Sequence, residues 1–262
     1  MEWQSSFGVE AEWWDHHLVQ KKAPGLSNRI TGAIYRPEEA HVYAPHYVQS
    51  LKIACERIGV QCFDHTFVQP VQDLEAGHVK AGDHVYEADQ LIICSGAWAK
   101  EWEEALAIDI PIMPIRGQIC AYQEPPYSLP YIVFSSQGYL VQKETGVVVA
   151  GATEDIAGFQ TSVTEQGIQR LQRWAPKLKP SLQDVKPFHQ WAGLRPATRD
   201  GYPLIGRVTK NPAVLLACGH YRNGILLSPV TAKLVADLLE EKSGVKERLQ
   251  SFDPTRFQLN AV

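Results

Sequence analysis

Residues 217–231, Ala-Cys-Gly-His-Tyr-Arg-Asn-Gly-Ile-Leu-Leu-Ser-Pro-Val-Thr, combine residue types that suit a bound anion or an electron-rich ring. The apolar run Ala213-Val214-Leu215-Leu216-Ala217-Cys218 reads as a short buried strand ending at Gly219. A polar turn with a second glycine, Gly224, then leads into a helix, with Ser228 as its cap and Pro229 in its first turn, where a missing N–H costs nothing. Strand, glycine turn and helix N-terminus together offer backbone N–H groups and the positive end of a dipole. Arg222 adds a fixed cation. An ordinary strand–turn–helix junction, with Arg222 capping a local group, reads from the same residues. A second arginine, Arg195, lies in Trp191-Ala192-Gly193-Leu194-Arg195-Pro196. Its guanidinium presents parallel donors that match a carboxylate bidentately, and a structural ion pair is the alternative reading.

These two segments, joined by Ala197-Thr198-Arg199-Asp200-Gly201-Tyr202-Pro203-Leu204-Ile205-Gly206, resemble the FAD-dependent amino acid and amine oxidases of the D-amino acid oxidase type. Within them the chain is most similar to the glycine oxidases of the thiamine pathway. Pro24-Gly25-Leu26-Ser27, Leu91-Ile92-Ile93-Cys94-Ser95-Gly96-Ala97-Trp98, Pro114-Ile115-Arg116-Gly117-Gln118 and Gly151-Ala152-Thr153 follow in the family's order. Each motif alone is weak, and their order and spacing carry the resemblance.

The resemblance implies oxidative deamination: hydride leaves the carbon beside an amine for non-covalently held FAD, the imine hydrolyses to an oxo acid and ammonia, and oxygen is reduced to hydrogen peroxide. It implies that Arg195 anchors the substrate carboxylate, that Tyr139 helps hold the substrate and that Arg222 closes the site. It places the backbone of His220, Tyr221, Arg222, Asn223, Gly224, Ile225 and Leu226 against the flavin ring, and Val68 near its adenine end. No side chain is assigned a catalytic proton transfer. Two departures, Phe134-Ser135-Ser136-Gln137 and Glu154 after the Gly-Ala-Thr run, leave sarcosine or another small amine beside glycine as substrate.

The family's opening Gly-x-Gly-x-x-Gly turn, which holds the FAD pyrophosphate within a βαβ unit of ~30 residues, occurs nowhere in the chain. The expectation is an oxidase without its N-terminal dinucleotide segment, and FAD retention is then in question. The alternative is a non-catalytic remnant that binds a small carboxylate or a partner chain without FAD. Missing central strands leave apolar sheet edges, so a homo-oligomer or a complementary N-terminal chain is the expected partner besides substrate and oxygen.

The elements that must position these residues read as α/β and α+β: an incomplete FAD-binding, glutathione-reductase-like α/β domain interleaved with a mostly antiparallel substrate domain. The first takes residues 41–107 and 193–262, the second 1–40 and 108–192. Val48, Leu51, Cys55 and Ile58 predict an amphipathic helix over 45–58, followed by strands at 60–63 and 66–68. A hairpin over 78–88 leads to a buried parallel strand over 90–94. Strands at 115–122, 131–134, 138–142 and 147–150, a helix over 164–174 and a last helix over 229–242 follow, and the residues after Phe252 read as a loose tail.

Composition is that of an ordinary globular protein: 262 residues, 45% hydrophobic, 21% charged, formal net charge −4. No basic stripe suggests nucleic acid, and no apolar run reaches the ~18 residues of a membrane span. Acids and tryptophans near the N-terminus do not suit a targeting peptide, so a cytoplasmic location is expected. Five cysteines without a C-x-x-C pair read as buried thiols, and nine histidines without H-x-x-x-H spacing predict no metal site.

Overall fold

The computed structural model describes residue 6 and residues 8–69, 78–125 and 128–260, the last three by their backbone. In chain order the elements are β1 (Glu12–Asp15), α1 (His16–Lys22), β2 (Gly32–Tyr35), α2 (Ala44–Arg57), β3 (Val68–Gln69), β4 (His78–Ala81), β5 (His84–Glu87) and β6 (Leu91–Ile93). A 3-10 helix over Gly96–Trp102 precedes α3 (Glu103–Leu106), β7 (Ile112–Gln123), β8 (Val133–Ser135), β9 (Gly138–Gln142), β10 (Val147–Gly151), β11 (Asp155–Ile156) and α4 (Glu165–Leu178). Then come β12 (His189–Thr198), β13 (Leu204–Val208), β14 (Asn211–Cys218), α5 (Gly224–Leu239), α6 (Val245–Leu249) and short 3-10 turns over Gln250–Phe252 and Pro254–Asn260. Contacts divide the chain into two compact units. One comprises Met1–Tyr43, Arg116–Asp155 and Gln160–Gly193, the other Ala44–Ile115, Ile156–Phe159 and Leu194–Val262.

The first unit is built on a mixed-length sheet of order β11-β7-β10-β9-β8, with β12 also paired to β7. β10 is antiparallel to both β7 and β9, so its side chains alternate between faces, and Val148 and Ala150 turn inward. They meet Ile168, Leu171 and Trp174, which share one face of α4 because they recur every three residues. Fully burying such side chains stabilises by roughly 1.5–3 kcal/mol each. Thr164 starts α4 as predicted, its hydroxyl accepting from the Gly167 N–H at 3.2 Å. Beyond α4, Lys179 is buried and paired with Glu124 at 3.2 Å, which Ser181 also holds at 3.0 Å. β1 and β2, absent from the sequence-based expectation, pair antiparallel and stack Trp14 on Tyr35 with ring centroids 4.3 Å apart.

In the second unit β14 lies between β13, antiparallel, and β6, parallel. Val214, Leu215 and Leu216 are all 0% exposed, because both faces of β14 are covered. Val214 and Leu216 join Ile93, Trp102, Ile110 and Leu204, while Leu215 joins Ile205, Val235, Leu238 and Leu249. β6 is shorter than expected and covered on one face only: Ile93 is buried and Ile92 exposed. It ends its sheet, with β14 its only ladder partner among the described residues. α2 forms where helical spacing predicted it, yet none of its residues is buried, and Val48, Leu51 and Ile53 are exposed. A further sheet, β3-β4-β5, contains the predicted hairpin.

Four expectations need correction. Residues 60–63 form no strand; Val60 and Phe63 are exposed and, among the described residues, pair with no strand. The last helix begins at Gly224, so Ser228 lies inside it. The segment after Phe252 is packed up to its 3-10 turn: Arg256 holds Asp200 through Nε at 2.8 Å and Nη2 at 3.1 Å, and Phe257 packs against the core. Cys120 and Cys218 are buried thiols, whereas Cys62 and Cys94 are exposed.

Candidate functional site

The segment after β14 turns sharply. Gly219 has φ +80°, and a Cβ there would lie 2.6 Å from Thr198 Cγ2, so both conformation and space demand glycine. Tyr221 also adopts a left-handed conformation, at φ +50°, which a side chain tolerates only when the surroundings hold it. They do. Its N–H donates to the Pro196 carbonyl at 2.9 Å, and Ala197 forms an antiparallel bridge with His220. The turn is therefore stitched to the end of β12, one residue beyond half-buried Arg195.

The side chain of His220 is turned into the protein, its Nε2 3.0 Å from Thr231 Oγ1 of α5, and burial pulls its pKa below the usual histidine value. Arg222 is exposed at the turn. Two of the N–H groups expected to face a ligand are used internally: that of Tyr221 on Pro196, and that of Asn223 on the His220 carbonyl at 2.9 Å.

The start of α5 lies ahead of Ser228-Pro229 for a local reason. Asn223, the residue before it, makes no side-chain cap. The first bond of the ladder runs from the Leu227 N–H to the Asn223 carbonyl at 2.8 Å, so the N–H groups of Gly224, Ile225 and Leu226 have no acceptor within the helix. Pro229 cannot donate to the Ile225 carbonyl four residues earlier. The Ser228 hydroxyl does so instead, at 2.8 Å, and its oxygen lies 3.0 Å from the Tyr47 hydroxyl of α2. Ser228-Pro229 is thus a repair inside the helix, although the pair reads as a start signal. Ile225 and Leu226 are exposed at this helix end, 43% and 76%.

Donors without helix partners, a neighbouring cation and exposed aliphatic side chains fit the polar edge and apolar face of a flavin ring. No glycine-rich cradle for a pyrophosphate exists in the sequence. Val68 lies in a different sheet of the same unit, on β3 opposite Ala81.

Tyr139 belongs to the first unit, on β9, where Phe134 of β8 is its direct cross-strand neighbour with ring centroids 5.8 Å apart. Opposite it on β10 is Gly151. Glu154, just beyond β10, is exposed. Spacing gave no sign of the group that anchors this region. Gln118, fully buried, donates through Nε2 to Asp155 Oδ2 at 2.8 Å and accepts from the Thr164 N–H at 2.6 Å. Its backbone N–H donates to Thr153 Oγ1 at 3.0 Å. Gly167 makes room for it, since a Cβ there would lie 2.2 Å from the amide nitrogen. Hydrogen bonds from Thr153, Gln118 and Arg170 outweigh burial and hold the Asp155 carboxyl below its ordinary pKa. A groove of about 590 Å³ along α4, lined by Gln169, Arg173, Gln183, Asp184 and Lys186, contains none of these candidates.

Among the described residues no cluster of three or more His, Cys, Asp or Glu is arranged to hold a metal, and no helix is long and apolar enough to cross a membrane.

The family model described as FAD dependent oxidoreductase matches residues 1–238. The chain belongs to this FAD-dependent oxidoreductase family. It is 31% identical over 242 residues to glycine oxidase of Bacillus subtilis (strain 168), a match covering 92% of this chain and 65% of that protein. It is 34% identical over 257 residues to the bifunctional protein ThiO/ThiG of Synechocystis sp., covering 95% of this chain and 38% of that one. The chain thus spans less than two thirds of the length of these relatives. Among solved structures of the family, glycine oxidase from Geobacillus kaustophilus matches with a TM-score of 0.91 at 30% identity, over 97% of this chain and 69% of the other. L-proline dehydrogenase from P. horikoshii shares the fold at 21% identity and a TM-score of 0.87.

Proposed function

We propose that the chain carries the flavin-ring and substrate-binding parts of an FAD-dependent oxidase of glycine or another small amino acid or amine, acting in thiamine biosynthesis. The observation that supports this reading is the bond from the Tyr221 N–H to the Pro196 carbonyl, which joins the chain next to Arg195 to the turn next to Arg222, just ahead of a helix N-terminus without a side-chain cap. Similarity to the glycine oxidases of Bacillus subtilis and Geobacillus kaustophilus supports the substrate class. In this reading the FAD-binding part is 41–107 with 193–262, and the substrate-binding part is 1–40 with 108–192.

The chemistry supplied by bound FAD is two-electron oxidation at the carbon bearing the amine, with oxygen reduced to hydrogen peroxide. The residues of this chain orient the substrate. Arg195 holds the substrate carboxylate bidentately and so fixes its plane. Arg222 adds positive charge at the mouth of the turn, and Tyr139 contacts the substrate through its hydroxyl. The N–H groups of Gly224, Ile225 and Leu226, with the dipole of α5, would hold the flavin ring and favour negative charge on it. The backbone of Val68 would hold the adenine end of FAD. The imine product hydrolyses in water, so no side chain is needed as a nucleophile.

The test is peroxide formation by the purified chain with added FAD and glycine or sarcosine. Substrate-dependent peroxide that is lost in Arg195→Ala, with folding intact, supports the reading. A second reading is that the folded chain binds a small carboxylate or a partner chain but not FAD, since these 262 residues contain no Gly-x-Gly-x-x-Gly. Carboxylate binding without flavin binding or peroxide would single it out.

A further inference from the structure

We infer that Gly151 is a positioning residue whose missing side chain seats the ring of Tyr139, and thereby fixes the hydroxyl that the proposed function assigns to substrate. Tyr139 and Gly151 are directly opposed across β9 and β10. A Cβ on Gly151 would lie 2.8 Å from Cζ, 2.8 Å from the hydroxyl oxygen and 3.1 Å from Cε1 of Tyr139. The phenol is therefore folded across the bare Cα of its partner strand, with its oxygen over the glycine.

Gly151 does not have a positive φ, so crowding over its Cα, and not a left-handed main chain, is what excludes a side chain. The neighbouring contacts close the ring in. Gly138, just before Tyr139, would itself place a Cβ 2.5 Å from the Gly151 carbonyl and 3.0 Å from the Trp174 ring, so the two strands meet closely here. Trp174 Nε1 donates to Ser135 Oγ at 3.3 Å and ties the β8–β9 hairpin to α4. Phe134 flanks the phenol. An aromatic ring laid over a cross-strand glycine is a recognised way of pinning a strand pair. Here it also removes rotamer freedom that a ligand would otherwise have to freeze. Gly151-Ala152-Thr153 thus acquires a role that no contact of its own side chains provides.

The inference rests on Tyr139 as a substrate contact, and the experiment separates the two. Gly151→Ala, Tyr139→Ala, their double variant and Tyr139→Phe are compared by thermal unfolding and by calorimetric titration with glycolate, a carboxylate isosteric with glycine, in the presence of FAD. Gly151→Ala is expected to lower the unfolding midpoint by several degrees and to weaken glycolate about tenfold. In the Tyr139→Ala background the same substitution should change neither. If Gly151→Ala alone fails to fold while the double variant folds, the coupling is equally demonstrated. Equal losses in both backgrounds would overturn the inference, because the clash would then involve something other than the ring. So would coupled stability with unchanged glycolate affinity in Gly151→Ala, which would leave Gly151 a packing residue. Unchanged glycolate affinity in Tyr139→Phe overturns the substrate role of Tyr139 while the seating of its ring still stands on the unfolding data.

Discussion

The Tyr221 N–H donates to the Pro196 carbonyl at 2.9 Å, and this one bond brings together two segments that the sequence separates. Arg195 precedes the acceptor and Arg222 follows the donor, so the two candidate arginines belong to a single junction. Gly219 makes the approach possible and Tyr221 pays for it with a left-handed backbone.

Arg195 is expected to contribute through geometry as well as charge. Arg195→Lys keeps the charge and loses the planar pair of donors, and should weaken glycolate by about 10- to 100-fold, the worth of a charge-assisted hydrogen bond. Arg195→Ala should abolish detectable binding. Titration calorimetry, with circular dichroism to confirm folding, checks both variants.

Gly219→Ala places a Cβ against Thr198 and forces φ +80° on a residue that resists it. A loss of about 1–3 kcal/mol is expected from denaturant unfolding. Pairing it with Thr198→Ser, which removes the struck methyl, should recover part of the loss and leave the backbone share.

Ser228→Ala should cost about 1 kcal/mol, because the Ile225 carbonyl then loses its donor. In a Pro229→Ala background the restored backbone N–H takes over, and the same substitution should cost less. A denaturant-unfolding cycle over the four proteins reads the difference.

Stability should fall with acid in two stages. His220 is held below its ordinary pKa of 6.5 by burial, so the unfolded chain binds the extra proton more readily and stability declines as pH drops below that value. Asp155 and Asp200 are held below their ordinary 3.8, Asp155 by hydrogen bonds that outweigh burial and Asp200 chiefly by Arg256. Their contribution is complete above 3.8 and is lost as pH falls from there toward the folded values. Unfolding midpoints between about pH 8 and 3 should show both stages, with His220→Gln removing the first and Asp155→Asn reducing the second.

Much of the architecture was legible because apolar spacing is a local signal. The run Val214-Leu215-Leu216 read as a buried strand and is one, whereas residues 90–94, read as covered on both faces, form a strand covered on one, and the helix read over 164–174 buries Ile168, Leu171 and Trp174. Where spacing misled, a non-local partner decided the outcome. Val60 to Phe63 has the composition of a strand but, among the described residues, no strand to pair with, and α2 has an apolar stripe of which no residue is buried. Ser228-Pro229 has the chemistry of a helix start and serves an interior carbonyl. The tail beyond Phe252 looked loose because Arg256 finds Asp200 across 56 residues. At the site, the arginines and glycines stood out by type, whereas the seating of Tyr139 on Gly151 is a cross-strand relation that no short motif encodes.

The most direct measurement is the visible absorption spectrum of the purified chain after incubation with FAD and desalting. The account predicts a retained, protein-perturbed flavin spectrum that glycolate perturbs further in the wild type and not in Arg195→Ala. A colourless protein after desalting would contradict it, leaving a chain that holds the fold of an oxidase without its cofactor.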